Sequence, residues 1–156
     1  MPTNPVNESI TLNVVTTLEG VTTGNGYQVT LDVKRHARKA WTPAHLMAIV
    51  HEGDDQELGD DETPMGYKAW RREYAIQIYV LQAGLPADAN LHTWMNIARA
   101  DAEKAIMADF TRGGYARNCE IRAPQEFVDA NDLTGVIVFF DVTYRTNELD
   151  PYQPAP

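Results

Sequence analysis

The residues best equipped for chemistry are carboxylates. Glu52, Asp54, Asp55, Glu57, Asp60, Asp61 and Glu62 place seven acids among the twelve residues from Glu52 to Thr63. Oxygen-rich segments bind calcium, but the D-x-D-x-D-G register of an EF-hand is not met, and both glycines, Gly53 and Gly59, are misplaced for it. A catalytic carboxylate pair needs a rigid element to hold its geometry. A dense run of like charge instead reads as a mobile, solvated hairpin loop, or as a segment that becomes ordered against a basic surface. Such a surface lies in the same chain: Lys34, Arg35, His36, Arg38 and Lys39 form one run, and Lys68, Arg71 and Arg72 another. Two arrangements follow. Either the acidic loop of one copy meets the basic patch of the next, head to tail, until a ring closes, or the charges pair across a hairpin within one subunit. Exposed ion pairs contribute only about 0–1 kcal/mol each, so their energy does not choose between the two.

Other reactive side chains are sparse. His36, His45, His51 and His92 include no pair at i,i+3 or i,i+4 and no H-E-x-x-H frame, so the residues give no reason to expect a metal. Cys119 is the single cysteine, which excludes an intrachain disulfide and a cysteine zinc cage. In an apolar-leaning strand it reads as a small core residue. No G-x-S-x-G elbow occurs, and Gly113-Gly114 closes a helix rather than cradling a phosphate. Neither catalysis nor a cofactor is expected. The competing expectation is a small α+β enzyme or ligand-binding domain, monomeric or dimeric, with a pocket on the sheet lined by Trp70, Tyr74 and Tyr144. Aromatics at strand spacing more often build core.

The elements that must carry these residues are legible from periodicity. Between Asn4 and Val21, Ile10, Val14, Val15, Leu18 and Val21 recur at helical steps, with Asn7 or Ser9 as caps. Thr23-Gly24-Asn25-Gly26 is a turn. From Tyr27 the period becomes two through Lys34, predicting a first strand. Leu46 to Val50 is a second, ending at the acidic loop, and Trp70 to Val80 a third, with a polar outer face carrying Arg71, Glu73 and Gln77. The three are expected to form a meander. Asp88 or Asn90 caps a helix whose stripe Leu91, Met95, Ala98, Ala102, Ala105 and Ile106 continues to Phe110 before Gly113-Gly114 stops it. Arg117–Arg122 and Val136–Tyr144 read as two further strands. The expected fold is α+β, a mainly antiparallel sheet of about five strands packed with two helices, in the order α-β-β-β-α-β-β. Residues 1–149 form one expected domain. Residues 150–156 form a Pro-rich tail not expected to pack regularly.

At the scale of the whole chain, 156 residues suit one domain, and 13 Lys and Arg against 22 Asp and Glu leave a charge of −9. That balance argues against nucleic-acid affinity, which needs a basic surface. No apolar run approaches the roughly 18 residues of a membrane span, and Met1-Pro2-Thr3-Asn4-Pro5 lacks the grammar of a signal peptide. A cytoplasmic site of synthesis is expected.

Three segments carry a family resemblance: Asn96-Ile97-Ala98-Arg99-Ala100-Asp101-Ala102-Glu103-Lys104-Ala105-Ile106-Met107-Ala108-Asp109 before a double-glycine stop, Val136-Ile137-Val138-Phe139-Phe140-Asp141-Val142-Thr143-Tyr144-Arg145-Thr146, and Asp150-Pro151-Tyr152. With the first helix running into Gly26-Tyr27, the chain resembles the tail terminator, or tail-to-head joining, proteins of long-tailed bacteriophages. The resemblance implies a non-enzymatic homohexameric ring in the virion neck, made in the host bacterial cytoplasm. It would cap the tail tube, end polymerisation of the tube protein and meet the head connector. DNA would pass through its lumen without specific binding, repelled by acidic walls. Contacts are expected, by position only, on the polar face of the third strand, the acidic loop and the C-terminal tail. The long acidic loop and the Pro-rich end depart from the family pattern.

Overall fold

The computed structural model describes residues 3–35, 42–59 and 63–155. His36, Arg38 and Lys39, and Asp60, Asp61 and Glu62, lie outside them. Among the described residues the elements run α1 (Val6–Glu19), β1 (Asp32–Arg35), β2 (Met47–Leu58), β3 (Tyr67–Tyr79), α2 (Leu91–Ala108), β4 (Asn118–Ile121), β5 (Gln125–Val128) and β6 (Thr134–Asn147). They build one sheet in the order β1-β2-β3-β6-β4, with β5 also paired to β6. The α+β class is as expected, with one strand more than the five foreseen.

Alternation along the long strands divides the sheet into two faces. On one side Val50, Tyr74, Ile76, Ile78, Val138, Phe140 and Val142 are buried against Ile10, Val14 and Leu18 of α1 and Ala98, Ala102 and Ile106 of α2. Each fully buried large aliphatic there contributes roughly 1.5–3 kcal/mol. The weak helix propensity of the β-branched residues in α1 is thus overridden by packing. On the other side a smaller cluster, Met47, Ile49 and Tyr79 with Leu81, Phe127 and Leu133, contains no residue of either helix.

Several expectations need correction. The segment from Tyr27 to Leu31 is not a strand, although Val29 and Leu31 are buried. The backbone N–H groups of Gln28 and Val29 donate instead to the Asp101 carboxylate of α2, at 2.7 and 3.0 Å. A backbone donor spent on a side chain is unavailable to a ladder. Only Asp32–Arg35 joins the sheet, and it runs parallel to β2, so the first three strands are not a meander. The cap of α1 is neither Asn7 nor Ser9. Pro5 precedes the helix without a side-chain bond, its φ preset for an N-terminus. Asn90 does cap α2, its side chain accepting from Thr93 N at 3.2 Å. The helix ends at Ala108, two residues short of the expected Phe110, and Gly113 and Gly114 at φ +71° and +87° make the turn that follows.

The extra strand, β5, continues β4 along the same edge of β6 after an interruption at Arg122-Ala123-Pro124. Ile121 pairs with Phe140 and Gln125 with Ile137, four steps against three. The slip falls where Pro124 has no N–H to give the ladder. The C-terminal tail forms no helix or strand and Pro151, Tyr152, Gln153 and Pro154 are exposed, as expected, but a few contacts tie it to the domain. Thr146 bridges to Pro154, Ala155 N donates to Arg145 O at 3.2 Å, and Val6 N at the start of α1 donates to Pro151 O at 3.0 Å.

Candidate functional site

The acidic stretch is a strand, not a loop, as far as Leu58. What makes this possible is neutralisation. In β2, Ala48, Val50 and Glu52 follow one another on the helix-covered face, opposite Ile78, Ile76 and Tyr74. Asp55, three residues beyond Glu52, would by simple alternation face the other way. A bulge prevents it: Glu52 pairs with Tyr74 and Asp55 with Arg72, three steps on β2 against two on β3. One extra residue re-aims every side chain beyond it, so Glu52 and Asp55 share a face with Arg72 between them.

Arg72 grips Asp55 bidentately, Nε to Oδ1 at 2.8 Å and Nη2 to Oδ2 at 2.7 Å, and its Nη1 reaches Glu52 Oε2 at 3.2 Å. Arg35, at the end of β1, closes the other side. Its Nη1 and Nη2 donate to the two oxygens of Glu8 on α1 at 2.7 and 2.9 Å, and its Nε to Glu52 Oε1 at 3.0 Å. Thr11 donates to Glu52 Oε2 at 2.9 Å and lies 2.8 Å from the Tyr74 hydroxyl, which is buried with its ring stacked on Phe140. Tyr144 Oη donates to Asp55 Oδ1 at 2.6 Å and Asn7 Nδ2 to Oδ2 at 3.0 Å. Side-chain exposure rises along the chain of ions, from 12% at Arg72 through 21% at Asp55 to 32% at Glu8.

The electrostatics follow from these contacts. Burial would raise the Asp55 carboxyl, but hydrogen bonds from Arg72, Tyr144 and Asn7 outweigh it and hold it below its ordinary value. The hydrogen bonds of Arg35 hold Glu8 down likewise. Burial raises the Tyr144 hydroxyl, and the neighbouring Asp55 carboxylate adds to it. Each oxygen of Asp55 already accepts two bonds. A general base needs a reachable lone pair and a pKa near the working pH, and Asp55 has neither. Chemically the network clamps α1 to the β2–β3 hairpin.

The sequence-predicted site residues are therefore brought together only in part, and mostly by pairing within the subunit. Lys68 lies 3.6 Å from Glu57 and Lys34 2.7 Å from Asp32, while Arg71 donates to Gln56 at 2.8 Å. Arg71 and Arg72, expected in one basic patch, sit on opposite faces of β3, with Arg71 exposed and Arg72 covered. Asp54 is exposed beside the bulge. Arg38, Lys39, Asp60, Asp61 and Glu62 lie outside the described residues. Of the three aromatics expected to line a pocket, Trp70 and Tyr144 border a cavity of about 300 Å³ with Pro5, Asn7, Asp55, Thr146 and Pro151, while Tyr74 is sealed in the core. Trp70 Nε1 is spent on Thr146 Oγ1 at 3.0 Å.

Cys119 is buried, and burial pushes its thiol up to about 11, as suits an unreactive core residue. His45 and His51 are partly buried and bonded, to Leu81 N and to Gln77, while His92 is exposed 3.3 Å from Glu126. Among the described residues no group of three or more His, Cys, Asp or Glu is placed to hold a metal ion. Three buried ions, Asp101, Arg112 and Arg145, were missed from the sequence. Asp101 interrupts the apolar stripe between Ala98 and Ala102, which was its signal. Arg112, wholly buried, donates to the Ile106 carbonyl at the end of α2, where a cation also meets the helix dipole, and no local pattern announces it. No family model matches the chain, and no curated protein does.

Proposed function

We propose that the chain is a tail terminator, a structural ring protein, sixfold by the family resemblance, that caps the tail tube of a long-tailed bacteriophage. The ring ends growth of the tube and presents its far side to the head connector. The observation that carries this role is the division of the molecule into two sides. On the covered side the strongest acids and bases are bonded to one another. The uncovered side is a broad sheet surface of mixed character, with the ion pairs of Arg122 with Glu73 and Asp141, the ring of Phe139 under Arg122, and the exposed Arg71. A protein built in this way acts through surfaces rather than through a reacting group. An overall charge of −9 keeps a DNA conduit from binding its cargo.

Sizing of the purified chain, alone and mixed with tail tubes, tests the role. A closed ring, or a monomer that becomes a ring at tube ends, is the expected result; a monomer indifferent to tubes overturns it. A second arm replaces Asp54, Asp60 and Asp61 by Asn and leaves the bonded Asp55 intact. Tails of normal length that still join heads would remove the acidic segment from the contact surface while leaving the ring in place.

A further inference from the structure

We infer that the free edge of β5 docks an extended segment of a partner protein, which adds a strand to the sheet and lowers an apolar side chain between β5 and α2. This goes beyond the ring reading and does not depend on it. Among the described residues β5 pairs with β6 alone. Asp129 N donates to Leu133 O at 2.8 Å, and the same register continues through Phe127 with Gly135 and Gln125 with Ile137. In an antiparallel ladder the inward bonds fall on every second residue. The N–H and C=O groups of Glu126 and Val128 therefore point away from β6. Both residues are exposed, and an open row of backbone donors and acceptors is a template for a further strand.

Beside this edge lies room for a side chain. Phe127 turns to the sheet face without helices, where its ring meets Tyr79 edge-on. Glu126 and Val128 alternate with it and take the face of α2. There Leu91 and Met95 of α2, with Phe127, Val128 and Thr134, line a cavity of about 330 Å³. An apolar cavity of about 150 Å³ already admits benzene, so a leucine or methionine side chain fits. The open edge and the cavity are separate observations that serve one ligand: main-chain bonds hold an added strand, and a pocket reads its alternate side chains.

Charge completes the description of the occupant. The bordering segments, 84–98 and 123–135, carry Asp88, Glu126, Asp129 and Asp132 and no lysine or arginine. Among the described residues the one ionic neighbour of Glu126 is His92, 3.3 Å away. The incoming strand thus places a basic residue opposite Glu126 and an apolar one opposite Val128. Antiparallel pairing, the sense in which β4 and β5 both meet β6, puts the basic residue two positions after the apolar one.

The test titrates the full chain with the peptide acetyl-Thr-Thr-Leu-Thr-Lys-Thr-amide, read by calorimetry and by amide exchange. The peptide binds and slows exchange at Glu126 and Val128. Backbone N-methylation of its leucine and lysine removes two donors but keeps both side chains, and weakens binding at least about tenfold. Reversing the order, lysine two positions before leucine, also weakens it. This arm needs no variant of the chain. Val128→Pro removes an outward N–H where an edge strand tolerates proline, and Glu126→Lys repels the peptide; each weakens binding, and glutamate in place of the peptide's lysine restores it for Glu126→Lys. No binding at millimolar peptide, binding indifferent to N-methylation, or unchanged exchange at Glu126 and Val128 overturns the site. Self-association of the free chain that the peptide displaces would put a second copy on the edge and overturn the assignment to a foreign strand.

Discussion

Arg72 is the residue on which the covered face depends, since among the described residues it alone touches both β2 carboxylates and the helix residue Thr11. Arg72→Met leaves Asp55 and Glu52 facing each other with Arg35 as the remaining cation. Removing one partner of a mostly buried ion pair costs about 3 kcal/mol, and the urea midpoint should fall accordingly. Arg71→Met, one position along on the exposed side, should stay within about 0.5 kcal/mol of wild type. The same network sets the acid limb of stability. Glu8 and Asp55 bind protons more weakly folded than unfolded, below their ordinary values of 4.5 and 3.8. Their contribution is therefore complete above pH 4.5 and is lost as pH falls through the folded values, where the unfolded chain takes up more protons. Calorimetry from pH 7 to pH 3 should show a level thermal midpoint that drops below about pH 4.5. Asp55→Asn should be less stable at pH 7 and lose less on acidification.

Two elements are shaped by single backbone features. The bulge between Glu52 and Asp55 decides which face the second carboxylate takes; deleting Asp54 takes out the extra residue and leaves Asp55 two steps from Glu52, on the same face and opposite Arg72. Denaturant unfolding should therefore show a midpoint close to wild type for this deletion, well above that of Arg72→Met. Gly135 is the second feature. In register opposite Phe127 and Tyr79, a Cβ there would run into the Ile78 carbonyl and come within 2.7 Å of the Phe127 ring. Gly135→Ala should cost about 1–3 kcal/mol by overpacking and should loosen β5, visible as faster amide exchange from Gln125 to Val128. The strand pattern itself was open to inspection: Trp70, Tyr74, Ile76 and Ile78 alternate without a break, and Arg72 stands in their register. Its place among apolar residues signalled a covered cation. The charge run from Glu52 concealed β2 because a solvated loop and a neutralised strand share a composition, and only the partner strand's arginines distinguish them.

For the whole molecule, charge opposes assembly. Each copy carries −9, and the strongest internal cations are already bonded, so neighbouring copies repel across their mean fields. Raising salt shortens the screening length from roughly 10 Å at 0.1 M to 3 Å at 1 M. Association should therefore strengthen as sodium chloride is increased, in light scattering at fixed protein concentration. Weakening would mean that ion pairs between subunits, rather than apolar contact, hold the seam.

By itself the sequence determined the α+β class, both helices, the buried face of β3, the strand character of β6 and the burial of Cys119, because each is written as local periodicity or residue type whose apolar members must leave water together. Tertiary structure alone decided that β1 runs parallel, that Gln28 and Val29 give their amides to Asp101, that the tail is tied to β6 at Arg145 and Thr146, and that the acids of β2 are held by Arg35 and Arg72. In each of these the deciding partner lies far along the chain, and a hydrogen bond or ion pair depends on where that partner is placed, which no local spacing encodes.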